Sequence, residues 1–391
     1  MTDSDGRAIG REQLVERARR LVPSLLGRAP QAEQLRRVPD ASVSEIRAAQ
    51  LARTLRPTRY GGFEQDYRTF GHVVRELGHG CASTAWCAAT WMAGAMTLTM
   101  FPAETQDEIC FANPDTHIGS TGIPSARAER VEGGWLVNGR WSFASGVHGA
   151  DFMMCGVTIP EGKVRCALIP TGHLKILDVW DTIGLRGTGS TDTVAEDVFV
   201  PAHCCIEGAL WAVKPPSAPF IAGPMRKHRV GTTQVNVGLF SSTAIGNAEA
   251  FLETFIAGAS GRSITFARQK QSENVATQLR VAESALEVDL AWMLLERCYD
   301  VLDEYEATGE IPLETRSRMR RDTAYAVNLA YGAVNRVFEV SGAHALASSG
   351  ELQRRWRDAH AIASQPQFHW DFEAETWAKI RFGLPHTHPN L

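Results

Sequence analysis

The chain has 391 residues, 44% of them hydrophobic and 21% charged, enough for two or three packed units of an ordinary globular protein. A net charge of −4 gives no reason to expect a nucleic-acid partner. The eight cysteines include no paired CxxC motifs, which argues against a zinc or other metal site. Reduced thiols and a polar, acidic N-terminus without a signal peptide predict a cytoplasmic location.

Residues 1–115 predict an N-terminal helical domain. Apolar residues recur at helical spacing in Gln13–Leu26, and Ser42–Glu45 has the pattern of a capping box that opens a helix to about Leu55. Asp66 is suited to cap the next helix. The stretch Ala82–Phe101 has no charged residue. Its hydroxyl side chains and the lack of a basic flank favour a buried helix, so no membrane association is expected.

Residues 116–213 predict a β domain, whose most informative stretch is an aromatic hairpin. Gly133–Gly134 indicates a turn, and Asn138–Gly139 is a strong type I′ hairpin signal. The following strand is expected to carry Trp141 and Phe143 on one face, and it ends at Ser145–Gly146. Such a strand suits a flat conjugated ring lying against the sheet. On this stretch alone, an ordinary hairpin with core aromatics is the better-supported interpretation.

Further strands are predicted at Val164–Ile169, Leu174–Trp180 and Val194–Val200, which the turn residues between them separate. The glycine-rich loop Gly184–Thr191 lacks the GxxxxGK[ST] pattern and therefore does not indicate a phosphate-binding P-loop.

Residues 214–391 predict a linker followed by a helical bundle. The segment from Lys214 to Pro224 is proline-rich. Four helices are then expected, at Val235–Phe255, Asn274–Ala307, Thr315–Val340 and Leu352–Ser364. No alternating βαβ pattern appears, which excludes a Rossmann fold. The predicted fold class is α+β and mostly α, in the order helical domain, β-barrel or sandwich domain, and C-terminal four-helix bundle.

This order resembles the acyl-CoA dehydrogenase fold. Four segments carry the resemblance over most of the chain: Pro57–Gly62, Asn138–Gly146, Gly184–Pro201 and Arg357–Ala359. True dehydrogenases of this fold commonly place a glutamate base about nine residues after the Arg of the last segment. Here Ile362–Pro366 holds no acid. The chain therefore resembles the dehydrogenases in its fold but lacks their catalytic base at this position.

The hairpin and the segment Arg354–His360 are more similar to the two-component flavin-dependent monooxygenases of this fold, which are related to the phenol, hydroxyphenylacetate and dibenzothiophene hydroxylases. The resemblance implies a homotetramer or homodimer that receives reduced FMN or FAD from a separate reductase. It further implies hydroxylation of an aromatic, indole-like or polyketide-like molecule with O2 through a flavin C4a-hydroperoxide. Two alternatives remain: an acyl-thioester dehydrogenase with an unusual base, and a non-redox protein that binds or cyclises its ligand.

The same resemblance implies roles for individual residues. Ser145 would bond the flavin near N5, with Trp141, Phe143 and Gly146 supporting the ring. Gly342 would lie near the flavin phosphates of a neighbouring subunit.

The predicted catalytic residues are Ser145, Gln365, His369 and His117. Many relatives place a histidine where this chain has Gln365, and glutamine cannot act as a base. Three alternatives follow: His369 or His360 takes over that role, the substrate needs no strong base, or oxygenation has been lost. His117 corresponds to a substrate-contacting histidine of some relatives, although an ordinary surface-loop histidine explains it equally well.

Overall fold

The computed structural model describes residues 9–208, 232–264, 268–305, 308, 310–389 and 391, with side chains from residue 240 onward in the helix that starts at 232. Its α-helices are α1 Arg11–Leu35, α2 Asp40–Ala48, α3 Tyr67–Gly80, α4 Ala82–Thr97, α5 Ala103–Ala112, α6 Thr232–Ala259, α7 Val275–Glu304, α8 Leu313–Phe338, α9 Glu351–Ala363 and α10 Trp370–Arg381. The predicted order of a helical domain, a β domain and a helical bundle is confirmed.

The β domain is built on one seven-stranded sheet. Its strands are β1 Ile118–Val131, β2 Gly134–Ala144, β3 Phe152–Thr158, β4 Val164–Pro170, β5 Lys175–Ile176, β6 Thr191–Pro201 and β7 Cys205–Glu207. Their order in the sheet is β5-β6-β2-β1-β3-β4-β7. Strand β1 pairs with β3 in parallel, and the other neighbours are antiparallel. A separate ribbon joins β8 Ser263–Ile264 to β9 Gln269–Lys270.

Helix α4 packs against α3, and its residues are all buried, as its uncharged sequence predicts. Asp66 caps α3, with Thr69 N donating to its Oδ1 at 2.6 Å. The predicted capping box is wrong: α2 begins at Asp40 and ends at Ala48. Ser42 instead accepts from Arg28 Nε of α1 at 2.9 Å, so the side chain joins two helices and does not cap one.

The hairpin turn lies between Val131 and Gly134, and the predicted turn at Asn138–Gly139 is wrong. Strand β2 runs through these two residues, with a register shift against β6 at this point. The side-chain amide of Asn138 bonds Asp197 on β6. A Cβ at residue 139 would lie 2.5 Å from the Cβ of Ala126, which requires glycine. The Asn-Gly pair therefore marks a bulge in the strand.

The C-terminal helices α6, α7, α8 and α9 pack against one another, and α10 packs on α8. Asn274 caps α7 by accepting from Thr277 N at 3.0 Å. Helix α10 follows Pro366 and was not among the predicted helices. The predicted linker from Lys214 to Pro224 and the domain boundary at 213 lie outside the described residues, and the domain limits stay predictions.

Helix α6 also packs against α3 and α4, which joins the bundle to the N-terminal helices, and α4 contacts β1. All three parts of the chain consequently meet around α4. Every helix in the described ranges is too short or too polar to span a bilayer.

Candidate active site

A cavity of about 280 Å³ lies where the end of β2, the loop from residue 177 to 190, α4 and α9 converge. Its volume is close to the lower end of the range for small-molecule sites, about 300 Å³. The described residues that line the cavity carry no charge, unless the one histidine among them is protonated. They are Trp86, Phe143, Ser145, Trp180, Thr182, Ile183, Gly184, Leu185, Ser190, His360, Ala361, Ser364 and Gln365.

Phe143 forms an aromatic wall of the cavity because the backbone of β2 changes direction there. Its φ of +62° is a left-handed conformation that costs a bulky residue about 1–3 kcal/mol. The side chain is 62% exposed and meets Trp180 edge to face, with 6.3 Å between ring centroids. A strained, exposed aromatic residue at a cavity is typical of a ligand contact.

Trp141 does not share a face with Phe143, so this part of the hairpin prediction is wrong. The indole is fully buried, and its Nε1 donates to Gly156 O of β3 at 2.7 Å. Ordinary strand alternation would have placed the two rings together. The positive φ at Phe143 breaks that alternation, and Trp141 packs inside the β domain while Phe143 faces the cavity.

A chain of three hydroxyl groups ends at the cavity. Ser145 Oγ lies 2.6 Å from Ser190 Oγ, which lies 2.7 Å from Thr188 Oγ1. Thr188 Oγ1 in turn donates to Leu185 O at 2.8 Å. Ser190 and Thr188 are buried, whereas Ser145 is half-buried at the cavity wall. The hydroxyl of Ser145 is therefore held in place and is accessible to a ligand.

The loop that carries Ser190 is fastened to α9. Leu185 N donates to Asp358 Oδ1 at 2.7 Å, and Arg357 donates to Ile183 O. A Cβ at residue 184 would lie 2.1 Å from Arg357 O, so only glycine permits this approach of loop and helix. Complete burial raises the pKa of Asp358 to about 6, although the Leu185 N–H bond and the nearby arginines favour its ionised form.

The last turn of α9 lines the cavity with His360 and Ala361, and Ser364 and Gln365, which directly follow the helix, continue this wall. The Nδ1 of His360 lies 2.8 Å from Trp356 O, and a carbonyl can only accept, so Nδ1 carries the proton of the neutral ring. Tyr331 and Trp356 pack on the same ring with centroid distances of 4.8 Å and 4.3 Å. The orientation of His360 is thereby fixed, and Nε2 is left as its basic nitrogen.

Several of the predicted site residues lie outside the cavity lining. His117 is fully buried and stacks on Trp91, and burial lowers its pKa to about 4. His369 is exposed at the start of α10. Gly146 is buried and accepts from Trp91 Nε1 at 3.1 Å. Gly342 is exposed after α8. The structure thus brings together Phe143, Ser145 and Gln365 of the predicted set, and the roles of all these residues remain predictions.

The sequence interpretation missed three side chains of the cavity wall. Trp86 belongs to the stretch predicted as a buried helix, but it lines the cavity and stacks on Phe240 of α6 at 4.2 Å. Trp180 was placed in a strand, whereas β5 ends at Ile176. Ser190 lay within the glycine-rich loop. The sequence signal for Ser190 was a hydroxyl residue next to glycines, a pattern too common to identify a site residue.

A shallow groove of about 520 Å³ adjoins the cavity, with Thr182 and Ile183 lining both. It is the polar part of the site, with acidic and basic side chains from α1, the loop and α9. Its described lining is Glu33, Asp181, Thr182, Ile183, Arg186 and Arg357.

Family models match two parts of the chain: acyl-CoA dehydrogenase, N-terminal domain, at residues 10–110, and acyl-CoA dehydrogenase, C-terminal domain, at residues 239–370. The oxygenase subunit HsaA of a flavin-dependent monooxygenase from Rhodococcus jostii is 34% identical over 356 residues, covering 89% of this chain and 92% of HsaA. The chain belongs to the flavin-dependent monooxygenases of the acyl-CoA dehydrogenase fold.

Two further relatives of this monooxygenase are similar over nearly their full lengths. The oxygenase component of an FADH2-dependent resorcinol hydroxylase from Rhizobium is 30% identical, covering 91% of this chain and 90% of the relative. The structure of XiaF from Streptomyces in complex with FADH2 and glycerol superposes with a TM-score of 0.90 at 28% identity, covering 97% and 98% of the two chains. The monooxygenase thus uses reduced flavin and O2 as the oxygenase component of a two-component system.

The cavity has the chemistry that a flavin ring requires. The aromatic rings of Phe143 and Trp180 offer flat apolar contact, and Ser145 offers a hydroxyl oxygen at the cavity wall. No charged side chain among the described residues competes for the space. The cavity volume of about 280 Å³ is consistent with a tricyclic ring lying beside Ser145.

Replacement of Asp358 by Asn is expected to change how stability depends on pH. The folded-state pKa of about 6 lies above the ordinary aspartate pKa of 3.8, so folding favours the protonated acid, and wild-type stability falls as pH rises from about 4 to about 6. Asn can still accept from Leu185 N but has no proton to lose. The thermal midpoint of the wild type should therefore fall relative to that of Asp358→Asn over this range, by the equivalent of about 3 kcal/mol.

Matched thermal scans of the two proteins at several pH values between 4 and 7 measure this effect. Parallel curves would show that Asp358 does not titrate in the folded monooxygenase. Asp358→Ala, which lacks an acceptor for Leu185 N, serves as the variant that loosens the loop at every pH.

Proposed function

We propose that this monooxygenase hydroxylates an uncharged phenol and that His360 accepts the phenolic proton. The single observation that carries the proposal is the fixed tautomer of His360, which leaves Nε2 as the basic nitrogen of a residue that lines a cavity otherwise uncharged among the described residues. Removing the phenolic proton raises the electron density of the ring carbons, which favours attack by an electron-poor oxygen atom. The similarity to a resorcinol hydroxylase supports this substrate class.

Bound reduced flavin, FMN or FAD, supplies the electron pair with which one atom of O2 enters the substrate and the other leaves as water. The residues of the chain position the reactants and exclude water. When flavin is bound, Phe143 and Trp180 would hold the ring, Ser145 would bond its N5 edge, and Gln365 would donate a hydrogen bond within the cavity. Because Gln365 cannot accept a proton as a base, that task goes to His360, which lines the same cavity.

The test is turnover with a partner reductase, isotope-labelled O2 and a matched panel of phenol, resorcinol, indole and hydroxyphenylacetate. The proposal predicts labelled product from the uncharged phenols and poor turnover of the carboxylate. Preferred conversion of indole would show that the substrate needs no strong base. The recovery of a desaturated acyl thioester without label would instead favour a dehydrogenase.

We also propose that the monooxygenase assembles as a homotetramer or homodimer through α7. Exposed apolar side chains recur on one face of this helix over about 27 Å. They are Val275, Leu279, Leu286, Leu290 and Met293. A second copy of the same helix supplies a partner of matching length and character, since an isologous contact pairs identical surfaces.

Leu286→Glu is expected to dissociate the assembly, because the interface would have to bury an unpaired charge. Light scattering coupled to size exclusion should show a smaller species for the variant than for the wild type. Glu310→Gln, an exposed position outside α7, provides the control. A wild-type monomer, or a Leu286→Glu variant of unchanged mass, would contradict the proposed interface.

The proposed location is cytoplasmic. All eight cysteines are free and buried, which is consistent with the reduced thiols expected there.

A further inference from the structure

We infer that Ser190 and Thr188 fix the direction of the Ser145 hydroxyl so that the site prefers reduced over oxidised flavin. This inference rests on the proposed placement of the flavin N5 edge at Ser145. It concerns two residues that have no contact with N5 themselves and act through Ser145.

The direction follows from the last acceptor in the chain. Leu185 O can only accept, so the single hydroxyl proton of Thr188 points to it, at 2.8 Å. The oxygen of Thr188 must then accept from Ser190, 2.7 Å away, and the oxygen of Ser190 must accept from Ser145, 2.6 Å away. The proton of Ser145 is consequently directed to Ser190 and is not available to a ligand. Its oxygen lone pair is what a ligand meets.

Burial keeps this arrangement from reorienting. Thr188, which sets the direction, is 1% exposed and lies outside the cavity lining, so bulk water offers its hydroxyl no alternative partner. Ser190 is 6% exposed, and its oxygen lies between those of Thr188 and Ser145. Leu185 itself is held by Asp358, and its carbonyl also accepts from Trp180 Nε1 at 3.2 Å. The acceptor that sets the direction of the whole chain is thereby fixed to α9 and to the loop.

The two redox states of flavin differ at the atom that Ser145 would meet. In reduced flavin N5 is an N–H donor, which suits an oxygen that can only accept. In oxidised flavin N5 is an acceptor, and two acceptors at hydrogen-bond distance repel. A site of this polarity takes up reduced flavin from the reductase and disfavours the oxidised form left after turnover.

The test compares dissociation constants of oxidised and photoreduced FMN and FAD, measured anaerobically with the full chain. Thr188→Val leaves Ser145 and Ser190 in place but removes the fixed end of the chain, and Ser190→Ala frees the proton of Ser145 directly. Each should lower the ratio of oxidised to reduced dissociation constants by about tenfold, chiefly through tighter binding of oxidised flavin. Ser317→Ala removes a buried hydroxyl outside the cavity lining, which donates to Glu314 O at 2.8 Å, and should leave the ratio unchanged.

A ratio that stays within about twofold of the wild type in both variants would overturn the inference, provided that circular dichroism shows both to be folded. A wild type that binds neither form of flavin would instead overturn the proposed function. A wild type that binds both forms equally, with the variants unchanged, would show that Ser145 does not discriminate between them.

Discussion

His360→Asn is expected to slow hydroxylation of a phenol by about 10²–10⁴-fold, the usual contribution of a general base. Asn can still donate to Trp356 O from a position close to that of Nδ1, which preserves the local bond of α9. It has no counterpart of Nε2. We expect reduced flavin to be oxidised at a similar rate in the variant while product formation falls, so the reaction becomes uncoupled. Product yield per reduced flavin measures the effect.

His369→Asn is the matched control, since His369 is exposed outside the cavity lining and its replacement should leave coupling unchanged. The loss in His360→Asn should also be smaller for indole, whose C3 reacts without deprotonation of a hydroxyl group. Equal losses on phenol and indole would assign His360 a structural role. An unchanged yield on phenol would remove it from the reaction.

Trp141→Ala is expected to destabilise the fold by about 3–5 kcal/mol, the cost of emptying a fully buried indole site. The variant also leaves Gly156 O without its donor, at a further cost of about 1–3 kcal/mol. Phe143→Ala, two residues away, should change stability by less than about 1 kcal/mol because the ring is 62% exposed. Thermal and urea unfolding distinguish the two.

Flavin binding should show the opposite pattern. Phe143→Ala retains the left-handed backbone strain and removes only the ring, so the affinity for reduced flavin should fall. Trp141→Phe, which keeps an aromatic core residue, should bind reduced flavin nearly as well as the wild type. Equal affinities for wild type and Phe143→Ala would show that the ring does not lie against the flavin.

The order of the elements could be predicted because it rests on strong local signals, whereas the site residues were assigned through the resemblance to the flavin-dependent monooxygenases. The uncharged helix α4, the cap at Asp66 and the regular spacing of the C-terminal helices each specify an element without long-range information. Ser145 and Gln365 were placed at the site through motifs, and the cavity contains both.

The errors come from tertiary contacts that have no sequence pattern. Asn138 makes its bonds to a neighbouring strand, so a turn signal became a bulge. The positive φ at Phe143 placed its ring and that of Trp141 on different faces, although strand alternation predicts one face for both. The predicted strand ends early, at Ile176. The loop after it is bonded to α9 through Leu185 and Asp358, and Trp180 in this loop lies at the cavity. Each depends on a partner distant in the chain.

The most direct test of the account is a crystal structure of the monooxygenase prepared anaerobically with reduced flavin. We expect the ring between the end of β2 and α9, in contact with Phe143, and with Ser145 Oγ within hydrogen-bond distance of N5. A flavin ring bound elsewhere, or a ring in the cavity whose N5 faces away from Ser145, would contradict the assignment of this cavity as the flavin site.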